Sequence, residues 1–201
     1  SITVPASTVS VAPSSGCTAL EKISVSEANT HYASHDGVLF SGDGKTILWF
    51  PMNKSGDFTL PPTVTTVGDY AFRDCKVERF VIADGLTEMG QCVFYNSMVK
   101  EVTLPSTLRQ VPTGTFQKCS NLTVVRLGES TEIMGNYLFD GCPLTDIYIS
   151  APTPPVCNTN TFTSSGANIF KTCRLHVAKG SKLHYKYSST WGQFSKIVED
   201  L

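Results

Sequence analysis

A short pattern of apolar residues recurs through the middle of the chain. Each copy contains an apolar run of the form L-x-x-L-x-L, and a phenylalanine follows 12 residues after the last anchor of that run. The spacings between successive phenylalanines are 22, 22 and 23 residues, and these residues are Phe72, Phe94, Phe116 and Phe139. One copy cannot bury its apolar residues alone, whereas stacked copies align them into continuous ladders. The period therefore predicts a solenoid of stacked coils.

Alternation within each copy predicts which side chains face the core. Successive side chains of an extended segment point to opposite faces, so the last two anchors of L-x-x-L-x-L point inward and the residue between them points to solvent. A second apolar pattern, as in Val64–Val67 and Leu108–Val111, predicts a second ladder on another side of the coil. Tyr70–Phe72 predicts a helical turn. A period in the low twenties with this pattern is typical of a leucine-rich-repeat solenoid. We expect an α/β, right-handed solenoid that is strand-dominated, with short helical turns and a C-terminal cap.

The chain is interpreted as a single leucine-rich-repeat domain over residues 1–201, built from four parts. They are a degenerate N-terminal repeat at 2–25, a hairpin insertion at 26–59, regular repeats at 60–149, and an irregular repeat with the C-terminal cap at 150–201.

Two parts outside the regular repeats predict elements of their own. In the insertion, Val38–Phe40 and Ile47–Phe50 flank turn-forming residues and predict a β-hairpin. In the C-terminal part, Ser181 is a favourable N-cap for a short helix over Lys182–Tyr187. Apolar residues after this helix, among them Trp191, are expected to cover the open end of the solenoid.

Five further motifs are informative when taken together: Gly68–Cys75, Leu104–Leu108, Gly135–Cys142, Asp36–Phe40 and Arg174–Val177. Together they resemble the BspA-type leucine-rich repeats of bacterial surface proteins. The resemblance covers nearly the whole chain. It implies adhesion and protein–protein interaction at the cell surface or after secretion, with no catalytic residues to carry over.

Charge and hydropathy argue against nucleic-acid binding and against a membrane-spanning helix. The net charge is −1, so the chain lacks the basic footprint of a nucleic-acid-binding protein. No stretch approaches the roughly 20 apolar residues of a transmembrane helix. Because the chain opens with Ser1 rather than Met, we expect a mature or trimmed part of a longer precursor. The resemblance implies that it is extracellular or on the cell surface. Any membrane attachment would use a signal or anchor outside this chain.

The seven cysteines have two interpretations. Cys17, Cys75, Cys119 and Cys142 share one repeat position and are expected to be buried, because a free cysteine behaves as a small apolar side chain. A disulfide framework is the alternative, and the pair considered for it lies in the irregular C-terminal part, at Cys157 and Cys173. No C-x-x-C motif occurs, so no metal site is expected.

No motif supports catalysis, and no cofactor is expected. Gly44–Thr46 imitates part of a phosphate-binding loop, but that loop needs a glycine where this chain has Leu39. The candidate bases are His31, His35, His176 and His184, and no motif connects any of them to a nucleophile. His176 and His184 are expected to be solvated. The sequence therefore predicts that the protein is not an enzyme.

The predicted binding residues are the outward positions of the main ladder. They are Arg79, Val81, Glu101, Thr103, Val124, Arg126, Asp146 and Tyr148, with Lys22 and Ser24 expected to continue the two rows. Arg126 and Tyr148 are the preferred anchors because arginine and tyrosine dominate interface energetics.

Two functions remain open from the sequence. The favoured one is a cell-surface or secreted protein-binding module that uses this exposed face, with host or microbial extracellular proteins as partners and glycans as a further ligand class. The alternative is a structural spacer or assembly domain of a larger surface protein. A monomer that binds no nucleic acid is expected in either case.

Overall fold

The repeats coil into a β-solenoid of about nine turns with few and short helices. The computed structural model of the protein describes residues 1–82, 84–162 and 168–201. Residues 163–167 of the predicted irregular repeat lie outside the described residues. The handedness of the coil, the capping role of the C-terminal part and the division into four parts stay predictions.

Short strands dominate the described part of the chain. They are β1 (Ile2–Val4), β2 (Ile23–Val25), β3 (Tyr32–His35), β4 (Val38–Ser41), β5 (Thr46–Trp49), β6 (Phe58–Thr59), β7 (Thr66–Val67), β8 (Arg79–Val81), β9 (Glu88–Met89), β10 (Glu101–Thr103), β11 (Gln110–Val111), β12 (Val124–Leu127), β13 (Ile133–Met134), β14 (Asp146–Ile149), β15 (Arg174–Val177) and β16 (Lys196–Glu199). The helices are α1 (Ile169–Thr172), α2 (Lys182–Tyr187) and two 3-10 turns, Thr159–Phe162 and Trp191–Gln193.

The main ladder is a seven-stranded sheet that runs β6, β8, β10, β12, β14, β15 and β16, with every neighbour parallel. The predicted alternation is confirmed, because Phe80, Val102 and Val125 are buried while the residues beside them face outward. The anchors align because neighbouring strands pair in parallel, with equivalent residues of successive repeats opposite one another.

The second ladder forms as predicted, but it is interrupted once. β5, β7 and β9 pair in parallel, and β11 pairs with β13, whereas β9 and β11 belong to different sheets. The glycine after each strand donates its N–H to the preceding coil: Gly68 to Ile47, Gly90 to Val67 and Gly135 to Val111, all at 2.7–2.8 Å. Pro112 occupies the same repeat position and has no N–H to donate, which explains the interruption.

The repeated phenylalanines form one stacked column through the core. Neighbouring rings of Phe72, Phe94, Phe116, Phe139 and Phe162 are 5.4–5.9 Å apart between centroids. All five side chains are buried. The column therefore continues past the regular repeats and into the irregular one.

The turns beside this column are not helical, so the prediction of a helical turn at Tyr70–Phe72 is wrong. Tyr70 has φ +56° and Asp74 has φ +58°, which places both in the left-handed region. This geometry lets the N–H of Tyr70, Phe72 and Asp74 donate to carbonyls of the next coil at 2.9–3.0 Å. The turns thus build a third hydrogen-bonded ladder, which a helix could not form because its N–H groups are satisfied internally.

The N-terminal part packs as a separate, smaller cluster. β1 and β2 pair in parallel, with Ile2 opposite Ile23. β4 and β5 form the predicted hairpin, and an additional strand, β3, pairs antiparallel with β4. Leu39 and Trp49 face a small cluster with β1 and β2, whereas Phe40 belongs to the main core.

The C-terminal part joins the main sheet. β15 and β16 extend its parallel order, and Trp191 and Phe194 pack against Phe162 at 5.0 and 5.3 Å. The helix over Lys182–Tyr187 is confirmed. Its Ser181 does not cap it, because the hydroxyl donates to the carbonyl of Ala178 at 2.6 Å instead.

Candidate functional site

The outward residues of the seven-stranded sheet form two parallel rows, which we call the strand face. Strand register places them opposite one another coil by coil. The central row is Val81, Thr103, Arg126, Tyr148 and His176. The flanking row is Arg79, Glu101, Val124, Asp146 and Arg174. All eight predicted binding residues therefore lie on one surface in the predicted order.

Lys22 and Ser24 do not continue these rows, so that expectation is wrong. Ser24 lies on β2, which pairs with β1 in a separate two-stranded sheet. The insertion after residue 25 supplies β3, β4 and β5 to a different ladder before β6 opens the main sheet. The strand face consequently begins only after the hairpin.

The N-terminal end of the strand face is the more open end. Arg79, Val81, Glu101 and Thr103 are exposed, and Val81 retains 47% of its accessible surface. These residues line a shallow groove of about 390 Å³ between β8 and β10. The groove combines an aliphatic side chain with a cation and a hydroxyl, which are groups that suit contact with a polypeptide.

The two predicted anchors are held within a stack of side chains. The guanidinium of Arg126 lies over the Tyr148 ring at 4.4 Å, and its NH1 also pairs with the carboxylate of Glu101. The other face of Tyr148 stacks on His176, with centroids 4.1 Å apart and an angle of 11°. Because both faces of Tyr148 are covered, the edge of the ring and its hydroxyl are what a partner could contact.

His176 differs from the solvated side chain that the sequence predicts. It occupies an outward position of β15, yet it is only 5% exposed. Its Nδ1 lies 2.9 Å from both carboxylate oxygens of Asp200, and its Nε2 lies 3.0 Å from Oδ1 of Asp146. The expectation of a solvated His176 is wrong because β16 brings Asp200 over the ring from a part of the sequence 24 residues away.

The environment of Asp146 favours its ionised form. Burial alone would disfavour the charge, but hydrogen bonds from His176 and Thr145 and the nearby positive charge of Arg174 outweigh it. These contacts lower the pKa of Asp146 below its ordinary value. Asp146 is therefore a negative charge in the flanking row, next to Arg174 at the C-terminal end of that row.

Sequence reasoning missed the C-terminal extension of the strand face. Arg174 and His176 continue the two rows, and Lys196 and Val198 on β16 lie next to them. The apolar alternation of residues 174–177 carried a usable signal, since it marks a strand of the same form as β14. The signal for β16 is weaker because Ile197 and Val198 are adjacent rather than alternating.

The two sides of the coil away from the strand face, built by the turns and by the second ladder, carry polar contacts between neighbouring coils. Asn96 donates to Asp74 at 2.6 Å, and Arg109 pairs with Glu132. Arg73 lies 5.3 Å from the ring centroid of Tyr95. These contacts join adjacent coils, and the Arg109–Glu132 pair gives a useful comparison for the Arg126–Glu101 pair on the strand face.

All seven cysteines are free thiols in the structure. Cys75, Cys119 and Cys142 are buried in one column as predicted. Cys17 is only half-buried and packs in the small N-terminal cluster, so its expected place in that column is wrong. Cys157 and Cys173 are not joined.

The described residues contain neither a metal-binding cluster nor a membrane-spanning helix. Among them, no group of three or more His, Cys, Asp or Glu side chains has the arrangement of a metal site. Within the same ranges, no helix has the length and apolar character needed to span a bilayer.

Comparison with protein families matches residues 50–176 to the model described as BspA-type leucine-rich repeat region, in six copies. A comparison with curated proteins gives no match.

Solved structures share the fold at low sequence identity. The pneumococcal vaccine antigen PcpA matches all of this chain and 56% of its own, with a TM-score of 0.68 and 19% identity. A leucine-rich cell surface protein from Faecalibacterium prausnitzii matches 83% of this chain and 48% of its own, with a TM-score of 0.70 and 20% identity. A leucine-rich-repeat protein from Eubacterium ventriosum has a TM-score of 0.53 at 21% identity, over 83% of this chain and 59% of its own. The chain thus spans about half the length of the first two.

Proposed function

Starting from the fact that this chain belongs to the BspA-type leucine-rich-repeat family, we propose that its strand face is a protein-binding surface. The chain would act as an adhesion or interaction module, extracellular or on the cell surface, and not as an enzyme. Its partners would be host or microbial extracellular proteins, with glycans as a further ligand class. Two structural neighbours are named a vaccine antigen and a cell surface protein, which supports this location.

The observation that carries the proposal is the order of the strand face. Two rows of outward side chains repeat at each coil on a sheet whose backbone is fixed by parallel pairing. A rigid surface loses little conformational entropy when a partner binds, which favours affinity. The open end around Arg79 and Val81 supplies a groove, and the Arg126–Tyr148 stack supplies a pre-organised polar edge beside it.

The contacts support one end of the strand face as the place where binding energy is concentrated. Arg126 is already paired with Glu101 and stacked on Tyr148, so a partner would gain less from it than from a free cation. Arg79 forms no ion pair within the part of the chain that the structure describes, and it adjoins the exposed Val81. We therefore place the centre of the proposed interface at Arg79 and Val81 and its edge at Arg126 and Tyr148.

A binding array of purified extracellular-matrix proteins, cell-surface proteins and glycans tests the proposal. The parent chain is compared with Arg79→Glu, which reverses the charge on the strand face, and with Arg109→Glu, which reverses an exposed arginine beside the second ladder. We expect a protein ligand whose affinity falls at least about tenfold with Arg79→Glu and less than about threefold with Arg109→Glu.

Other outcomes count against the strand face. Equal loss of affinity in both variants would indicate a general electrostatic effect, and loss only in Arg109→Glu would place the interface beside the second ladder. Binding to a glycan in the array, without binding to any protein, would show that the ligand is a carbohydrate and not a protein.

A spacer or assembly role is the second candidate, and one observation favours it. The polar groups of the strand face are largely paired with one another, as in the Glu101–Arg126 contact and the bonds of His176. A face whose groups are internally satisfied offers fewer unpaired contacts to a partner. Absence of any ligand from the full array would support this role over the binding role.

A further inference from the structure

The setting of His176 suggests a function that the binding proposal does not use. Both ring nitrogens lie within 3.0 Å of carboxylate oxygens, Nδ1 with Asp200 and Nε2 with Asp146. The side chain of His176 is only 6% exposed, whereas those of Asp146 and Asp200 are 24% and 45% exposed. A buried ring is thus held between two partly solvated acids.

These contacts are satisfied best when each ring nitrogen carries a proton. An ionised carboxylate only accepts hydrogen bonds, and a neutral imidazole carries a hydrogen on one nitrogen only. Two carboxylate partners are satisfied together when both nitrogens donate, which requires the imidazolium form. The lowered pKa of Asp146 is consistent with a positive charge at this place.

The charged groups around the ring come from three strands. β14 supplies Asp146 and Tyr148, of which Tyr148 covers one face of the imidazole. Arg174 on the same strand as His176 approaches Asp146 at 3.9 Å. Lys196 on β16 lies opposite Arg174, and Asp200 follows that strand. Arg174 and Lys196 add positive charge nearby, but Asp146 and Asp200 are the groups in direct contact with the ring.

We propose that His176 is a proton-dependent clasp that fastens β16 to the solenoid. β16 is the last strand of the main sheet, and its pairing within the described ranges is with β15 alone. The bond from His176 to Asp200 ties the end of β16 across β15, and the bond to Asp146 ties the same ring to β14. One imidazolium therefore connects three successive strands.

The sign of the pH dependence follows from the charges. With the imidazolium present, both bonds are charge-assisted and the strand is held. When the ring loses a proton at higher pH, one nitrogen presents a lone pair to a carboxylate, which replaces an attraction by a repulsion. The clasp is therefore closed at lower pH and opens as pH rises, as long as both aspartates stay ionised.

The proton-dependent clasp at His176 is also in contact with the strand face through Tyr148. Tyr148 stacks on His176 on one side and on Arg126 on the other, so release of the ring would loosen the Arg126–Tyr148 contact. The clasp itself does not depend on the proposed binding function, because it is a property of the free chain.

Amide hydrogen exchange of residues 196–199 in the full chain tests the proposal, measured from about pH 5 to about pH 9 and corrected for intrinsic rates. In the parent chain we expect protection of β16 to fall about tenfold or more as pH rises. His176→Phe keeps a ring against Tyr148 but has no nitrogen, and Asp200→Asn removes one partner. Both variants should lose most of this pH dependence.

A matched control and an independent readout complete the test. His35→Gln changes an exposed histidine at the end of β3 and should leave the profile of β16 unchanged. Nitrogen-15 NMR of the His176 ring over the same pH range should show both nitrogens protonated where β16 is protected and one protonated where protection is lost. A single protonated nitrogen at about pH 5, a flat profile in the parent, or the parent profile retained in Asp200→Asn would each overturn the clasp.

Discussion

The repeated phenylalanine has the clearest energetic role of any single residue. Phe116 is fully buried, and its ring stacks between Phe94 and Phe139 at 5.6 and 5.9 Å. Its position was predictable because the chain repeats it at a fixed spacing. The stacked geometry was not predictable from one repeat, since it arises only when neighbouring coils lie in register.

Phe116→Ala tests the column. Removal of a buried ring from a continuous stack leaves a cavity that neighbours on both sides cannot fill, so we expect the free energy of unfolding to fall by about 3–5 kcal/mol. Urea denaturation measures the change. Val81→Ala on the strand face is the control and should change stability by less than about 0.5 kcal/mol. A loss below about 1 kcal/mol for Phe116→Ala would contradict a packed column.

Asp146 gives a prediction about pH. Its pKa in the folded state is lowered below the ordinary value of 3.8, so its charge stabilises the fold above that value, and the stabilisation is lost as pH falls through the folded-state pKa. We expect Asp146→Asn to lower the free energy of unfolding by about 1–3 kcal/mol near neutral pH, because a buried donor of His176 loses a charged acceptor. The deficit should shrink on acidification.

Asp57→Asn is the matched control for this comparison because Asp57 is exposed. Its stability should stay within about 0.5 kcal/mol of the parent at every pH. A deficit in Asp146→Asn that is constant or grows as pH falls would show that its charge has no stabilising role.

His176 and Cys17 show where single residues escape sequence reasoning. His176 holds an outward strand position, so alternation predicts exposure. Its burial depends on Asp200, which comes from a different strand and is invisible to a local pattern. Cys17 matches the repeat position of Cys75, yet the coil that contains it packs in a separate cluster.

At the scale of elements, strands were predictable where the repeat is regular. The alternation of buried and exposed residues in β8, β10, β12 and β14 follows the L-x-x-L-x-L run directly. The conformation of the turns was not predictable, because Tyr70 adopts a left-handed backbone, which is uncommon for tyrosine. The interruption of the second ladder at Pro112 was readable from the sequence, since it is the one repeat among the four regular ones that lacks the glycine.

Thiol reactivity tests the packing of the elements. Burial raises the pKa of Cys75 to about 12, and burial does the same for Cys173. We expect both thiols to resist alkylation in the folded protein at about pH 8, because the thiolate is the reactive form and neither side chain is accessible. Cys17 and Cys92 are both half-buried and outside the main core, so these two thiols should react first. Mass spectrometry of alkylated peptides over time gives the order.

One order of labelling would contradict this prediction. If Cys75 reacted as fast as Cys17 under native conditions, the cysteine column would not be packed. Labelling of all seven thiols after addition of denaturant provides the control for reagent access.

At the scale of the whole molecule, a single hydrophobic core runs from the hairpin to the C-terminal strands, and the strand face lies along one side of it. Repetition made this architecture predictable, because every coil buries apolar residues at the same repeat positions against its neighbours. The extension of the strand face by β15 and β16 was not predictable in full, because irregular segments follow no period. The face is therefore longer than the sequence alone indicated.

The most direct test of the account is the footprint of a bound protein partner on this chain, measured by amide hydrogen exchange of the free and bound states. The account predicts slower exchange at β8, β10 and β12, centred on Arg79 and Val81, with β11 and β13 unchanged. A footprint on β11, β13 or α2 that spares the strand face would contradict it.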